Sequence, residues 1–599
     1  MEKKTLIFLL ISIAILFLYT QFILPLFIKP VKPPLPKHDS SLSDTLTSGL
    51  PISPTLKSEL KPVSPTMVAT THPQVKLISR TIETNYLKAV FSNKGACLES
   101  LVLKKYDAAE KKEPLELLRD FQQDKYSLIL KQIPSGTVQG SLPEMENINW
   151  EILSSEEPKS ICFRYNTPDG LVLKKIFNLT ENSYAIDVKI VLENTSGQDI
   201  TAQFQLTGAA GISYERTDRH DLVGIRGYTD KNKKWGVKDE ITVDRLKKNK
   251  QPHILAKDKA TVEWTGITNK YFAAILIPKS LTDTNTFIYA PIEDTEYLNQ
   301  QNKKLQSNGQ TVNEQTLKDQ ATQNISSDIE TVPLVLASGE IKVMEFVFFA
   351  GPKKADELAV FKDRGLDKLL NYGWFDFISH ILLLVLFGFY GIFKNYGWSI
   401  IFLTVLVKLL LFPITRKGQV SMYKMQRLQP HLKALQEKHK NDKQRLGMEQ
   451  LKLWKEHGVN PLSGCLPIFF QIPVFIGLYW GLDLCIELRH APFMLWINNL
   501  SQPDRLLTLP EWFQTIPIIG TTYLHILPLL MTASWIIQSL TQPKSPDPQA
   551  RQQQKMFTFM PLLFLFLFYN VPSGLTLYWF TSTLLGITEQ MIIKKVYMR

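Results

Sequence analysis

Five apolar runs in the last third of the chain limit its fold more than any other sequence feature. They cover about 397–415, 461–482, 517–540, 556–571 and 574–593. A helix needs roughly 20 apolar residues to cross a bilayer core about 30 Å thick. Over the whole chain, only 44% of the 599 residues are hydrophobic. Since the long apolar runs lie in the last third, the rest of the chain is more polar. The sequence therefore predicts a polytopic helical membrane domain joined to a polar domain.

The preceding residues predict an anchor, a linker and a β domain, in that order. Residues 1–28 place two lysines before a long apolar run, which is typical of an uncleaved transmembrane anchor. Residues 29–74 are rich in Pro and Ser, like a linker. Residues 75–352 contain short alternating runs broken by turn residues, which favour an antiparallel β-sandwich. Inside this domain, the polar segment 299–328 is expected to be a mobile loop.

Positive charge predicts the topology. The segment 416–458 carries 11 Lys and Arg against four acidic residues, and short loops this basic stay in the cytoplasm. With a cytoplasmic N-terminus and an external β domain, only one apolar run can return across the membrane before residue 416. We expect 397–415 to cross and 374–393 to lie along the outer surface. This gives six spans with both termini in the cytoplasm. The net charge of +12 then reflects topology, and no direct nucleic-acid partner is expected.

The basic segment 416–458 also has a helical pattern. Apolar residues recur at 3-4-3 spacing from Met425 to Leu435, and Leu453 and Trp454 can line an answering helix after a break near "KHKND". This pattern predicts a helical hairpin with a basic exterior. Two readings stay open: a solvated structural hairpin, or a docking arm for a ribosome or targeting partner. The candidate docking residues are Lys424, Arg427, Lys433, Lys443 and Arg445.

Lys408 lies near the middle of the run "GWSIIFLTVLVKLLLFPIT". A lysine at that depth costs roughly 2.5–3.5 kcal/mol on insertion scales. Thr404 and Thr415 share its helical face, and the next run carries Gln471 between two prolines. These features favour a polar cavity among the helices. The alternative is that Lys408 snorkels or bonds a backbone carbonyl.

Neither catalysis nor a cofactor is indicated by the sequence. It contains no phosphate-binding glycine loop, no zinc-protease motif and no metal-spaced Cys/His cluster. We therefore expect neither an enzyme nor a metal or cofactor site. Cys97 and Cys162 share one compartment, so a disulfide is possible, although two unpaired core thiols are the favoured interpretation.

Several motifs together resemble the YidC/Oxa/Alb family of membrane protein insertases, in its Gram-negative YidC form. They are "NYGWSIIFLTVLVK", "SMYKMQRLQP", "NPLSGCLPIFFQIPVFIGLYW", "APFMLWINNLSQPD" and "TFMPLLFLFLFYNVPSGLTLYW". The resemblance implies a periplasmic β-supersandwich (75–352), an interfacial helix region (353–396) and a five-span insertase core (397–599). It further implies insertion and folding of inner-membrane proteins, alone or with the Sec translocon.

The resemblance also implies a hydrophilic groove that is open to the cytoplasm and to lipid, with a positive charge at the position of Lys408. The family more often has Arg there, and a lysine is a point charge without the guanidinium fork. Residues expected to line the groove or the substrate slide are Thr404, Phe475, Met531, Tyr578 and Trp579. Trp579 replaces a common Tyr, and the adjacent Tyr578 could supply the hydroxyl.

The implied partners are nascent inner-membrane proteins, the Sec translocon (SecYEG, SecDF), the ribosome and its targeting factors, and membrane lipids. The main rival is a secondary transporter or channel in which Lys408 is the counter-ion of a substrate. Transporters usually show internal repeats and intramembrane acids. No repeat is visible here, and Glu589 is the only acid well inside a predicted core span.

Overall fold

The structure is a computed structural model. It describes residues 75–597 except 109–112, 122–124, 134–143, 155–156, 214–222, 230–234, 250, 257–260, 281–283, 294–321, 440–441, 460–465, 511–522 and 542–559. The predicted anchor (1–28) and linker (29–74) lie outside the described residues.

Alternating apolar residues form strands over most of the first half of the described chain. The strands are β1 (Ser79–Glu83), β2 (Leu87–Ser92), β3 (Cys97–Asp107), β4 (Pro114–Leu118), β5 (Leu130–Ile133), β6 (Glu151–Leu153), β7 (Ser160–Asn166), β8 (Leu171–Leu179), β9 (Ala185–Asn194), β10 (Ile200–Ala210), β11 (Val223–Thr229), β12 (Trp235–Thr242), β13 (His253–Ala256), β14 (Thr261–Thr268), β15 (Phe272–Pro278), β16 (Thr284–Glu293), β17 (Thr322–Thr331), β18 (Leu334–Leu336), β19 (Ile341–Pro352), β20 (Leu507–Thr508) and β21 (Tyr523–Leu524).

Three antiparallel sheets share one hydrophobic core. The largest has the order β12-β11-β14-β15-β19-β9-β8-β7-β6, the second runs β13-β16-β17-β10-β18 with β5 also paired to β10, and the third is β1-β2-β3-β4. In β9 every second residue is buried, as expected of a strand with one face on a core. β15 is buried along its whole length, because it lies where the sheets meet. The β-rich domain predicted from the sequence is thereby confirmed.

The end of the segment predicted as a mobile loop is a buried strand. β17 begins at Thr322 and pairs with β16 and β10. Its polar side chains are compatible with burial because they are hydrogen-bonded: the Asn324 side chain accepts from Ile212 N and donates to Ile212 O, both at 3.0 Å. Polarity was therefore a misleading signal for residues 322–328, while residues 299–321 lie outside the described residues.

Cys97 and Cys162 are free thiols, and Cys97 is buried. Burial raises the pKa of Cys97 to about 12, so this thiol stays protonated and behaves as a small apolar side chain. The favoured interpretation of two unpaired thiols is confirmed. Nearby, the fully buried Lys175 donates to the backbone carbonyls of Ala96 and Leu128, an arrangement that the sequence did not indicate.

Helices dominate the chain after the β domain. They are α1 (Val243–Asn249, inside the β domain), α2 (Ala355–Ala359), α3 (Asp376–Phe393), α4 (Tyr396–Arg427), α5 (Gln429–Lys438), α6 (Lys443–Glu456), α7 (Leu466–Leu484), α8 (Ile526–Thr541), a helical segment at 560–568, and α9 (Ser573–Tyr597). Within the described part of the chain, Gly373–Phe393 and Tyr396–Arg427 are long and apolar enough to cross a membrane. Phe469–Leu484 and Ile526–Thr541 are apolar but shorter.

Two helix boundaries differ from the predicted spans. α4 continues without interruption past residue 415 to Arg427, despite Pro413 inside it. α8 begins at Ile526, well inside the predicted span 517–540, because Tyr523 and Leu524 form a strand and the Asp504 carboxylate accepts from the first helical amides. With 16 residues, α8 is about 24 Å long, which is shorter than an average bilayer core.

α3 packs against α7 through small residues. A Cβ atom added at Gly477 would lie 3.1 Å from Ile378, and one added at Gly481 would lie 3.4 Å from Leu383. The Ser379 hydroxyl donates to the Gly477 carbonyl at 2.8 Å. The two glycines, four residues apart, therefore give α7 a flat face that receives α3.

The 3-10 turn Ile486–Leu488 at the end of α7 joins the two parts of the structure. Ile486 is buried in the core of the β domain, whereas Leu488 is buried among the helices. Close by, Lys270 at the β14–β15 turn forms a buried ion pair with Asp483 of α7 at 3.0 Å. Both apolar packing and a charge pair therefore connect the β domain to the C-terminal end of α7.

Candidate functional site

Lys408 is half-buried on α4 and faces α8 and α9. Its neighbours Leu409 and Leu410, which lie on other faces of the helix, are largely exposed. A Cβ atom added at Gly586 of α9 would lie 3.9 Å from Lys408 Nζ and 2.2 Å from Gln538 Nε2 of α8. Gly586 therefore leaves room for two polar side chains to meet between three helices. Among the described residues, no carboxylate oxygen lies within 4.0 Å of Lys408 Nζ.

The polar residues on the face of Lys408 have distinct partners. The buried Thr404 hydroxyl donates to the Ile400 carbonyl of its own helix at 2.6 Å, so it is satisfied within α4. The Thr415 hydroxyl has two acceptors: Glu589 Oε1 of α9 at 2.5 Å and the Phe412 carbonyl of its own helix at 3.1 Å. Glu589 also interacts electrostatically with Lys408. The structure thus adds Glu589 and Gln538 to the polar residues around Lys408.

An aromatic cluster lies between α7, α8, α9 and the segment 560–568. Trp579 is its centre, with ring centroids 4.6 Å from Phe475, 5.5 Å from Trp535 and 5.2 Å from Phe568. Such edge and tilted contacts are favourable for aromatic rings. Phe475 and Trp579, both predicted from the resemblance, are brought together here. Trp535 and Phe568 carried no distinguishing signal in the sequence, where they are two of many aromatic residues in apolar runs.

Tyr578 points away from this cluster. It is buried, and its hydroxyl accepts a hydrogen bond of 2.6 Å from Gln471 Nε2 of α7. Met531 is buried on α8, four residues before Trp535. Tyr578 therefore supplies a hydroxyl next to Trp579, but that hydroxyl bridges α9 to α7.

The loop after α7 holds the start of two helices. Asp504 Oδ2 accepts from Trp496 Nε1 at 2.8 Å, from Ile526 N at 2.9 Å and from Leu527 N at 3.0 Å. At the start of α9, Gly574 N donates to the Leu500 carbonyl at 2.9 Å. The motif "APFMLWINNLSQPD" is therefore a loop that fixes α8 and α9 at the same end.

The basic segment forms two short helices after α4. α5 ends at Lys438, and Asp442 caps α6 by accepting from Arg445 N at 2.9 Å. Leu428 and Leu432 are buried. The side chains of Lys424, Arg427, Lys433 and Arg445 are exposed. The backbone of Lys443 begins α6, and its side chain lies outside the described part of the structure.

No cluster of three or more His, Cys, Asp or Glu side chains in the described part of the chain could hold a metal ion. The chemistry that the site offers is a charge, its polar neighbours and an aromatic wall. These groups can bind and orient a polypeptide segment without breaking a covalent bond.

A large β domain, long apolar helices and a charged polar site among those helices define a class of protein: a membrane protein with a large folded domain outside the bilayer. Two family models match the chain in succession. The model described as the YidC periplasmic domain matches residues 79–385, and that described as the 60Kd inner membrane protein matches residues 388–599.

Similar proteins cover the whole chain. One, from Pelobacter propionicus, is 30% identical over 602 residues, covering 100% of this chain and 99% of the relative. Another, from Geotalea uraniireducens, is 32% identical with 99% of each chain covered. Both are named membrane protein insertase YidC. A crystal structure described as active YidC insertase covers 86% of this chain and 93% of its own, with 18% identity and a TM-score of 0.33.

The chain belongs to the YidC family of membrane protein insertases. The resemblance drawn from the sequence motifs is confirmed. The family models place the chain in the inner membrane, with a periplasmic domain that includes the β domain.

Proposed function

We propose that this chain inserts inner-membrane proteins and helps them fold, through a hydrophilic groove whose positive charge is Lys408. The observation that carries the proposal is the position of Lys408, half-buried between α4, α8 and α9 with no described carboxylate in ion-pair contact. A cation held in that way attracts acidic or polar parts of an incoming chain. A hydrated groove lowers the cost of moving these parts into the membrane.

The aromatic cluster around Trp579 supplies the apolar side of the site. Phe475, Trp579 and the buried Met531 of α8 form the proposed slide along which a client helix leaves for lipid, with Thr404 and Tyr578 behind it. Client release into lipid is driven by burial of apolar area, at roughly 25 cal/mol per Å². α8 is only about 24 Å long, which favours a locally thin bilayer and a shorter path.

We propose six spans with both termini in the cytoplasm and the β domain, as a supersandwich, in the periplasm. The direction of the helices supports this topology. Lys408 of α4 faces Gly586 while Thr415 bonds Glu589, so α4 and α9 run in the same direction. Gln538 of α8 faces Gly586 and Thr541 bonds Gln590, so α8 runs in that direction too. Six crossings with a surface-lying α3 require these three helices to be parallel.

We propose that α3 lies on the outer membrane surface, against the outer end of α7. Only Lys394 and Asn395 separate α3 from α4, and the Asn395 side chain caps α4 by accepting from Trp398 N at 3.2 Å. The proposed partners are nascent inner-membrane proteins, lipids, the Sec translocon, and the ribosome with its targeting factors. The exposed basic side chains of α5 and α6 are the proposed ribosome-docking surface.

Complementation of an insertase-depleted bacterial strain tests the groove charge. Lys408→Arg is expected to support growth, Lys408→Ala to support it poorly, and Lys408→Glu to fail, because the charge sign decides client capture. Lys248→Ala, at an exposed lysine on α1 of the β domain, is the matched control for loss of one positive charge. Membrane levels of each variant are measured by immunoblot. Full growth with both Lys408→Ala and Lys408→Glu at normal protein levels would refute the groove charge.

A further inference from the structure

Glu589 is the acidic residue that the structure places beside the groove charge. Its carboxylate accepts from the Thr415 hydroxyl at 2.5 Å, and its charge acts on Lys408. Thr415 lies two helical turns after Lys408 on the same face of α4, about 10.5 Å along the axis. Glu589 lies one turn after Gly586, the residue that faces Lys408 Nζ. Along the groove, Glu589 is therefore positioned between Lys408 and Thr415.

This arrangement gives Glu589 two possible partners. The carboxylate is hydrogen-bonded to Thr415 and is not in ion-pair contact with Lys408. Both Glu589 and Lys408 have long flexible side chains, so each can change its rotamer. Because a half-buried carboxylate without a partner is costly, the Thr415 hydroxyl keeps Glu589 hydrogen-bonded while Lys408 is occupied by another anion.

We propose that Glu589 is a specificity-determining counter-charge of the groove. It competes with client carboxylates for Lys408, so that a client is retained only when its own acidic residues outcompete Glu589. Thr415 sets the strength of this competition by holding Glu589 away from Lys408. The proposal rests on the proposed function, because it presupposes that Lys408 attracts clients.

The test uses the full-length protein in proteoliposomes and single-span clients whose N-terminal tails carry no, one or two aspartates. Glu589→Gln removes the competing charge and keeps the shape, so insertion of the one-aspartate client should rise roughly fivefold. The two-aspartate client should change little, because it already outcompetes Glu589. Thr415→Val should reduce insertion of the one-aspartate client, since Glu589 then turns to Lys408. Thr588→Val, at an exposed α9 residue whose hydroxyl bonds only the Leu584 carbonyl, is the control and should have no effect.

Two outcomes separate this proposal from the groove charge itself. If Lys408→Ala lowers insertion of acidic clients but Glu589→Gln leaves the one-aspartate client unchanged, the counter-charge proposal is overturned and the groove charge stands. If Lys408→Ala has no effect on any client, both are overturned. In a Lys408→Ala background, Glu589→Gln should leave insertion of the one-aspartate client unchanged. Equal gains with and without Lys408 would contradict the proposal.

Discussion

Replacing Asp504 by alanine should loosen the loop after α7 and the start of α8. One oxygen of this buried carboxylate accepts three hydrogen bonds, from the Trp496 indole and from the backbone amides of Ile526 and Leu527, over 2.8–3.0 Å. The two amides are the first donors of α8, which have no partner within the helix. The negative charge also lies at the positive end of the helix dipole.

The size of the effect follows from these contacts. A hydrogen bond to a charged group contributes roughly 1.5–3 kcal/mol, and an N-cap residue roughly 0.5–2 kcal/mol. The three bonds share one acceptor, so their contributions do not add fully. We expect Asp504→Ala to cost about 3–5 kcal/mol. Asp504→Asn keeps an acceptor oxygen and loses the charge, and it should cost roughly 1–2 kcal/mol.

Thermal unfolding of the purified chain in detergent, followed by tryptophan fluorescence, measures this effect. A loss of about 4 kcal/mol should lower the midpoint by roughly 10 °C in a helical domain of about 200 residues. Asp363→Ala removes a carboxylate whose side chain is 77% exposed, and should change the midpoint very little. If Asp504→Ala unfolds at the wild-type temperature, the Asp504 carboxylate does not cap α8.

Two further predictions concern other buried positions. Burial raises the pKa of Asp328 in β17 from 3.8 to about 6. Between pH 4 and 6 the folded protein therefore holds a proton that the unfolded chain releases, and the free energy of unfolding should fall by up to about 3 kcal/mol as the pH rises over this range. Asp328→Asn should reduce this pH dependence, measured by thermal unfolding at pH 4.5 and 6.5. An unchanged pH dependence in Asp328→Asn would assign the effect to another group. A Cβ atom at Gly397 would lie 2.0 Å from the Phe493 ring, so Gly397→Ala should destabilise the helical part by roughly 1–3 kcal/mol. In the same unfolding assay Gly397→Ala should cost less in a Phe493→Ala background, which removes the ring, and an equal cost would place the strain elsewhere.

The division of the chain into a β domain and a helical domain could be predicted from the sequence, because both produce regular patterns of apolar residues. Alternating residues such as those of β9 and uninterrupted apolar residues such as those of α4 follow directly from the pleat and from the hydrophobic environment. The signal failed at β17, where the buried Asn324 side chain is hydrogen-bonded to the backbone of Ile212. No local pattern distinguishes such a strand from a solvated loop, since Ile212, the backbone partner of the Asn324 side chain, is 112 residues away.

The candidate site could be predicted only in part, for the same reason. Lys408 is visible in the sequence because a charge in an apolar helix is costly. Its neighbours Gln538 and Glu589 lie 130 and 181 residues further along the chain, and only the packing of α8 and α9 brings them close. The role of Asp504 as a helix cap could not be predicted either. Asp504 lies 22 residues before Ile526, whose backbone amide donates to its carboxylate.

The most direct test of the account restores the charge at residue 408 chemically. In a chain whose four native cysteines are replaced, Lys408→Cys is reconstituted and treated from the cytoplasmic side with membrane-impermeant thiosulfonates that add a trimethylammonium or a sulfonate group. Insertion of a client with an acidic tail is then measured. The account predicts that both reagents modify the thiol, that the trimethylammonium group restores insertion, and that the sulfonate group does not. A thiol that no aqueous reagent reaches, or equal insertion after either reagent, would contradict a water-filled groove that acts through its positive charge.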